Sequence, residues 1–163
     1  MSYIPAISSH LNTISLDLPE ATSAKVSAKM SVVDYELHLA ICKPDFLNRR
    51  HWLIVMIEPG ASRGTYLHCT GNMGNRKTEI EPNRRFKSWK FEKTYHLSTV
   101  LSDAASVICQ QALAIPPQSC SCWVVYLIFR LERRSLVPHG TYDHWRRRVT
   151  HRMEDLGPGC YCD

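Results

Sequence analysis

The chain has 163 residues, 44% of them hydrophobic and 21% charged, with 20 Lys and Arg against 15 Asp and Glu and a formal net charge of +5. That length suggests one domain burying roughly 70% of its unfolded surface, so a core can form without disulfides or metal. Seven glycines, nine prolines and no repeat period exclude collagen-like, low-complexity and wholly disordered chains, and the longest apolar run, residues 122–129, falls far short of the ~20 residues of a membrane span.

Residues 1–30, rich in Ser, Thr and Ala, read as a partly disordered or loosely packed arm. The first 20 residues lack the basic and apolar regions of a secretory signal, which predicts a cytoplasmic protein whose seven cysteines stay reduced. Residues 32–42 alternate, with Val33, Tyr35, Leu37, Leu39 and Ile41 on one face of a half-buried strand. After a polar loop, residues 51–57 are short, β-branched and nearly all apolar, as a strand covered on both faces should be. Turn residues at 58–64 and a strand-like run at 65–70 complete a hairpin.

Residues 71–82 read as a polar loop. Residues 88–97 alternate again, predicting a strand with Trp89 and Phe91 inward and Tyr95 as a further candidate. The period then changes. Ser102 or Asp103 caps a helix from Ala104 to about Ala114, ended by Pro116-Pro117. From Cys120 the chain reads as a buried helix. Its β-branched residues Val124, Val125 and Ile128 suit a strand instead, but the Ser119 cap and the charged end at Arg130–Arg134 favour the helix. A last helix is expected from Tyr142 to about Glu154, stopped by Gly157-Pro158-Gly159. Strands first and helices later is the α+β pattern. The expected organisation is an arm (1–30), one α+β domain (31–157) and a tail (158–163).

Nucleophilic cysteine chemistry needs a thiolate, a base to form it and a polar group that orients the base. Cys120 stands where the helix should begin, one residue after Ser119. A helix N-terminus favours a thiolate and can hold an oxyanion. His51 opens the first strand of the hairpin and His68 lies near the end of the second, so both fall at the hairpin's open end. Whether their rings face one point depends on register, because a one-residue slip flips every side chain.

The segment His51-Trp52-Leu53-Ile54-Val55 resembles the histidine strand of lecithin:retinol acyltransferase-like proteins, and Tyr66-Leu67-His68 resembles their second histidine. Residues 119–126, Ser-Cys-Ser-Cys-Trp-Val-Val-Tyr, resemble the cysteine helix of NlpC-type peptidases. The order His, His, Cys is that of the circularly permuted branch of this papain-like superfamily, and the span from Trp89 to Val125 is similar to small fungal proteins of the same layout. The resemblance covers roughly residues 33–137. It implies a permuted papain-like fold in which a small antiparallel sheet packs on the cysteine helix. It also implies a Cys120–His51–His68 triad working by thiol-based acyl chemistry, hydrolysis or acyl transfer, on a small metabolite or peptide, with no cofactor and no metal. Ser119 stands where the family commonly has Asn or Asp. Cys122 is a second candidate nucleophile, although the Cys-x-x-Trp-Val spacing favours Cys120. The membrane-anchoring segment of the acyltransferase-like proteins has no counterpart, so their lipid substrates are not carried over.

Other readings stand beside this one. The scaffold could serve as an inactive binding module. Cys120-x-Cys122 and Cys160-x-Cys162 could offer four thiolates to zinc, at a spacing tighter than structural sites use. The arginines of residues 130–152 could meet nucleic acid or another acidic partner, but they lack a recognition motif and read as solvated helix faces. The sequence does not set the oligomeric state.

Overall fold

The structure, a computed structural model, describes residues 34–149. The predicted arm and tail, and with them Cys160 and Cys162, lie outside the described residues. Five strands, β1 (Asp34–Cys42), β2 (Trp52–Ile57), β3 (Arg63–Thr70), β4 (Lys77–Arg85) and β5 (Phe91–Leu101), precede three helices, α1 (Ala104–Leu113), α2 (Cys120–Glu132) and α3 (Thr141–Arg146). The chain is therefore α+β. The strands form one antiparallel sheet in the order β4-β3-β2-β1-β5. No helix among the described residues is long and apolar enough to cross a membrane.

The near-continuous apolar run of β2 has the cause expected for it. All six of its residues are buried, and the strand sits at the centre of the sheet. Trp52, Ile54 and Met56 join Leu37, Leu39 and Leu67 beneath the helices, against Ile108, Trp123, Leu127 and Leu131. Leu53, Val55 and Ile57 point the other way and meet Ala40, Tyr66, Phe86 and Phe91. Alternate residues of one strand thus feed two separate clusters. α2 packs on β2 and β3, which puts its first turn at the end of the sheet where β2 begins.

Three expectations are corrected. The polar loop is confined to residues 71–76, and the stretch that follows is the edge strand β4, paired to β3 from Thr70↔Lys77 to Arg63↔Arg85. An edge strand needs only one apolar neighbour and tolerates proline. Pro82 falls where the pairing shifts between Gly64 and Tyr66, next to Asn83 at φ 59°. The second correction concerns the alternation after residue 88. Trp89 is 77% exposed in the turn before β5. A register shift between Ile41 and Cys42 on β1 then reverses the facing of its partner residues on β5. Phe91 joins the cluster away from the helices, whereas Tyr95 turns to the helix side, half-exposed, its ring centroid 4.8 Å from that of Trp145.

The third correction is the last helix, which ends at Arg146. Its start is fixed by the Glu132 carboxylate, which accepts the N–H groups of Gly140 (2.9 Å) and Tyr142 (2.7 Å). At its end the Arg148 guanidinium donates to His144 O at 2.8 Å. That carbonyl is the one a continuing helix would give to the Arg148 N–H, which turns instead to Trp145 O at 3.0 Å. The predicted span beyond residue 149 lies outside the described residues.

Candidate active site

His51 is the residue before β2, and its backbone carbonyl accepts the Cys42 N–H at 2.8 Å, tying it to the end of β1. The loop ahead of it is shaped by Asp45, whose carboxylate accepts the N–H groups of Leu47 and Arg49 and pairs with the Arg49 side chain. In the hairpin Ile54 faces Leu67 and Val55 faces Tyr66. Continuing that register sets His68 opposite Leu53, with His51 diagonal to it on the same face. The rings meet accordingly: His51 Nε2 lies 2.9 Å from His68 Nδ1, with the planes at 63°.

α2 delivers the sulfur. Pro116-Pro117 holds the approach extended, Ser119 takes the N-cap position, and the first helical bond runs from Trp123 N–H to Ser119 O at 2.8 Å. Cys120 is the first helical residue. Its Sγ donates to Arg50 O at 3.7 Å, the carbonyl directly before His51. Cys120, His51 and His68 line one open cleft of about 800 Å³. Cys122, two residues on and 2% exposed, is a core residue. Trp123, one turn after Cys120, is fully buried and anchors the helix beneath it.

Burial pushes the thiols of Cys42, Cys69 and Cys109 above their ordinary value, and for Cys42 the neighbouring Cys120 adds to the effect. His51 is moved the other way. Burial, reinforced by the nearby His68, lowers it from 6.5 to about 4. Burial also lowers His68, against the opposing pull of Glu81 and Glu79. Near neutral pH both imidazoles are therefore uncharged, and each carries a single N–H.

Where those protons sit follows from the far side of His68. Its Nε2, buried and without an aligned hydrogen bond, is 3.4 Å from Glu81 Oε2 and 4.0 Å from Glu79 Oε2. Two carboxylates favour an N–H at that nitrogen. Nδ1 of His68 is then an acceptor, His51 Nε2 the donor to it, and His51 Nδ1 a lone pair able to take a proton. Both histidines also border a second cavity of about 410 Å³, which includes Glu81.

Donor atoms of His68, Glu79 and Glu81 all lie within 4.8 Å of one another, a spacing that a cation could use. The carboxylates are already compensated, however. Glu79 accepts Thr70 Oγ1 at 2.7 Å and pairs with Lys77 at 2.6 Å, and Glu81 lies 3.4 Å from Arg84. The donor set suits orientation of a histidine better than capture of a metal.

Sequence reasoning missed both carboxylates because they lie in the stretch read as loop. The signal was the alternation Lys77-x-Glu79-x-Glu81 around Ile80, which packs on the core. It also missed the gathering of cations around the cleft, where Lys43, Arg49 and Arg50 of the loop between β1 and β2 meet Arg76 from the loop before β4. Of the basic stretch after residue 130, Arg130 donates to Gln111 at 2.8 Å, while Arg133, Arg146 and Arg148 lie over Phe129, Tyr142 and Trp145. Set against protein-family models, curated proteins and solved structures, the chain matches none.

Proposed function

We propose that this chain is a cysteine enzyme of the circularly permuted papain-like kind, acting through a thioester on a small metabolite or peptide. Cys120 Sγ attacks the carbonyl carbon and its proton passes to His51. N–H groups of the first turn of α2, that of Ser121 among them, receive the developing oxyanion. The intermediate collapses as His51 returns the proton to the leaving group. Water or an amine then attacks the thioester, His51 takes its proton, and the thiol is regenerated. Hydrolysis and acyl transfer differ only in that second nucleophile.

His68 holds His51 in the tautomer that can accept a proton. With His51 neutral at rest, transfer accompanies attack instead of preceding it. The observation that carries this reading is the 2.9 Å contact between the two histidines at the cleft that also holds the thiol opening α2.

Mapping of iodoacetamide labelling by mass spectrometry near neutral pH tests it. Cys120 is expected to label first, ahead of Cys42 and Cys109. Cys120→Ala should abolish the acyl adduct formed with 4-nitrophenyl acetate, and His51→Ala should slow its formation by about a hundredfold or more. Labelling of Cys120 no faster than that of Cys42 and Cys109, with no adduct, would overturn the proposal and leave a binding scaffold.

A further inference from the structure

His68 is 8% exposed, and its Nε2 makes no hydrogen bond among the described residues although it points at two carboxylates. An unmet buried polar atom of this kind is costly. The distances explain the mismatch. Glu81 Oε2 at 3.4 Å and Glu79 Oε2 at 4.0 Å stand too far off for good hydrogen bonds. Ligands held at about 2.0–2.1 Å around a tetrahedral zinc ion, by contrast, are separated from one another by about 3.3 Å. The three donor atoms all lie within 4.8 Å of one another.

The sheet builds this group. His68 on β3 faces Glu79 on β4, and Glu81, two residues on, shares that face. On the far side of the ring, His68 Nδ1 meets His51 Nε2 at 2.9 Å, and a histidine that binds metal has its second nitrogen held in this way. Thr70 Oγ1 donates to Glu79 Oε2 at 2.7 Å and fixes that carboxylate. Lys77 and Arg84, which compensate the two acids, are exposed, and exposed pairs are weak. With no ion present this compensation leaves the carboxylates to orient His68. An ion has to displace both cations, so the site is weaker than a structural one and responds to how much metal is free.

We infer that His68, Glu79 and Glu81 form a reversible site for a divalent ion of the zinc class, and that the ion switches off the histidine pair. One imidazole and two carboxylates suit zinc, with water as the fourth ligand, whereas magnesium and calcium prefer oxygen alone. The ion takes the Nε2 lone pair of His68, and that ring's proton then resides on Nδ1. Nδ1 donates to His51 Nε2, so His51 carries its own proton on Nδ1. Neither ring gains or loses a proton, but His51 no longer offers the lone pair that receives the Cys120 proton. The site itself does not depend on the chemistry proposed above; its effect on acylation does.

The test starts from the full chain with its accessible thiols blocked by iodoacetamide, so that added zinc meets nitrogen and oxygen donors. Calorimetric titration should show a zinc site whose affinity falls by at least about tenfold in Glu79→Gln/Glu81→Gln, an isosteric change at half-buried positions, and magnesium should not compete for it. Ring ¹⁵N shifts of the same sample should show His68 coordinated through Nε2 and protonated at Nδ1. With the thiols free, zinc should slow acylation of Cys120 by 4-nitrophenyl acetate by about tenfold or more in the parent chain. In the double variant the slowing should stay within about twofold, each chain being compared with its own metal-free rate.

Equal zinc affinity in the parent and the double variant, or zinc bound no more tightly than magnesium, would overturn the inference. So would equal slowing of both chains, which places the ion on Cys120, or acylation untouched at saturating zinc. Zinc binding lost in the double variant, in a chain whose Cys120 takes no acyl group even without metal, keeps the site and sinks the proposed chemistry instead.

Discussion

The layer under the helices and the open end of the sheet follow opposite rules. Beneath α1 and α2 the buried positions are apolar, and the exception, Gln111, is answered by Arg130 at 2.8 Å. The other two buried polar residues among those described, His68 and Ser119, both line the cleft. Burying a polar group is costly unless it is partnered. A fold that confines such residues to one end of the sheet has separated its stabilising layer from its polar one. The division runs through a single helix: Cys120 tips α2 into the cleft, and Trp123, one turn on, is fully buried.

The largest expected effect breaks the packed layer and spares the cleft. Trp123→Ala empties a fully buried site, and such truncations cost about 3–5 kcal/mol. Urea denaturation should show that loss, with the iodoacetamide rate at Cys120 preserved wherever the variant is folded. A loss below about 1 kcal/mol would mean that Trp123 does not anchor the helix. Trp123→Phe should cost less, because the indole Nε1 is buried without a partner and phenylalanine removes that unmet donor.

Next comes an effect at the polar end that pH exposes. His51 has an ordinary value of 6.5 and is lowered to about 4 in the fold. Between those values the unfolded chain binds the proton and the folded chain does not, so stability rises with pH across the window. The penalty is complete below pH 4 and absent well above 6.5. The gap corresponds to about 3 kcal/mol. His51→Gln should flatten that portion of the stability profile relative to the parent chain, as read by denaturation at pH 4 and pH 7. An unchanged difference between the two pH values would mean that His51 is not buried as a neutral group.

The same division decides what could be read from the sequence. The strands β1 and β2, the hairpin, and the starts of α1 and α2 follow from alternation, apolar runs and caps, which are local. Cys120 as the first helical residue follows from Ser119 and the prolines before it. The pairing of His51 with His68 did not follow, because it depends on register across 17 residues, and only the facing Ile54–Leu67 and Val55–Tyr66 pairs settle it. The edge strand β4 was hidden by its own polarity. With it went Glu79 and Glu81, whose place behind His68 comes from the pairing His68↔Glu79 on the neighbouring strand. Trp89 misled in the opposite sense: its alternation pattern is genuine, but the chain at that point is a turn.

The smallest expected effect lies at the boundary between the two regions, at Glu81. Its carboxylate is 3.4 Å from His68 Nε2 and pulls the His68 pKa upward against burial. Glu81→Gln removes that charge and leaves Glu79 at 4.0 Å as a weaker substitute. His68 should then become a weaker base, and its preference for an N–H at Nε2 should shrink. Because His68 Nδ1 and His51 Nε2 share one hydrogen bond at 2.9 Å, a flip of either ring's tautomer reverses the other and places a proton on His51 Nδ1. A partly buried charge–histidine contact of this length is worth about 1 kcal/mol, so kcat for acylation should fall by about three- to tenfold with KM little changed. Ring ¹⁵N shifts of the two histidines give a readout that a merely structural role would not move. In the parent chain both rings should show protonated Nε2, and Glu81→Gln should add signal from protonated Nδ1 at both. If the shifts stay fixed while activity falls, the carboxylate acts on packing; if the parent chain already shows protonated Nδ1 on His51, that ring cannot accept the thiol proton there, and the division between an inert layer and a reactive end loses its chemical meaning.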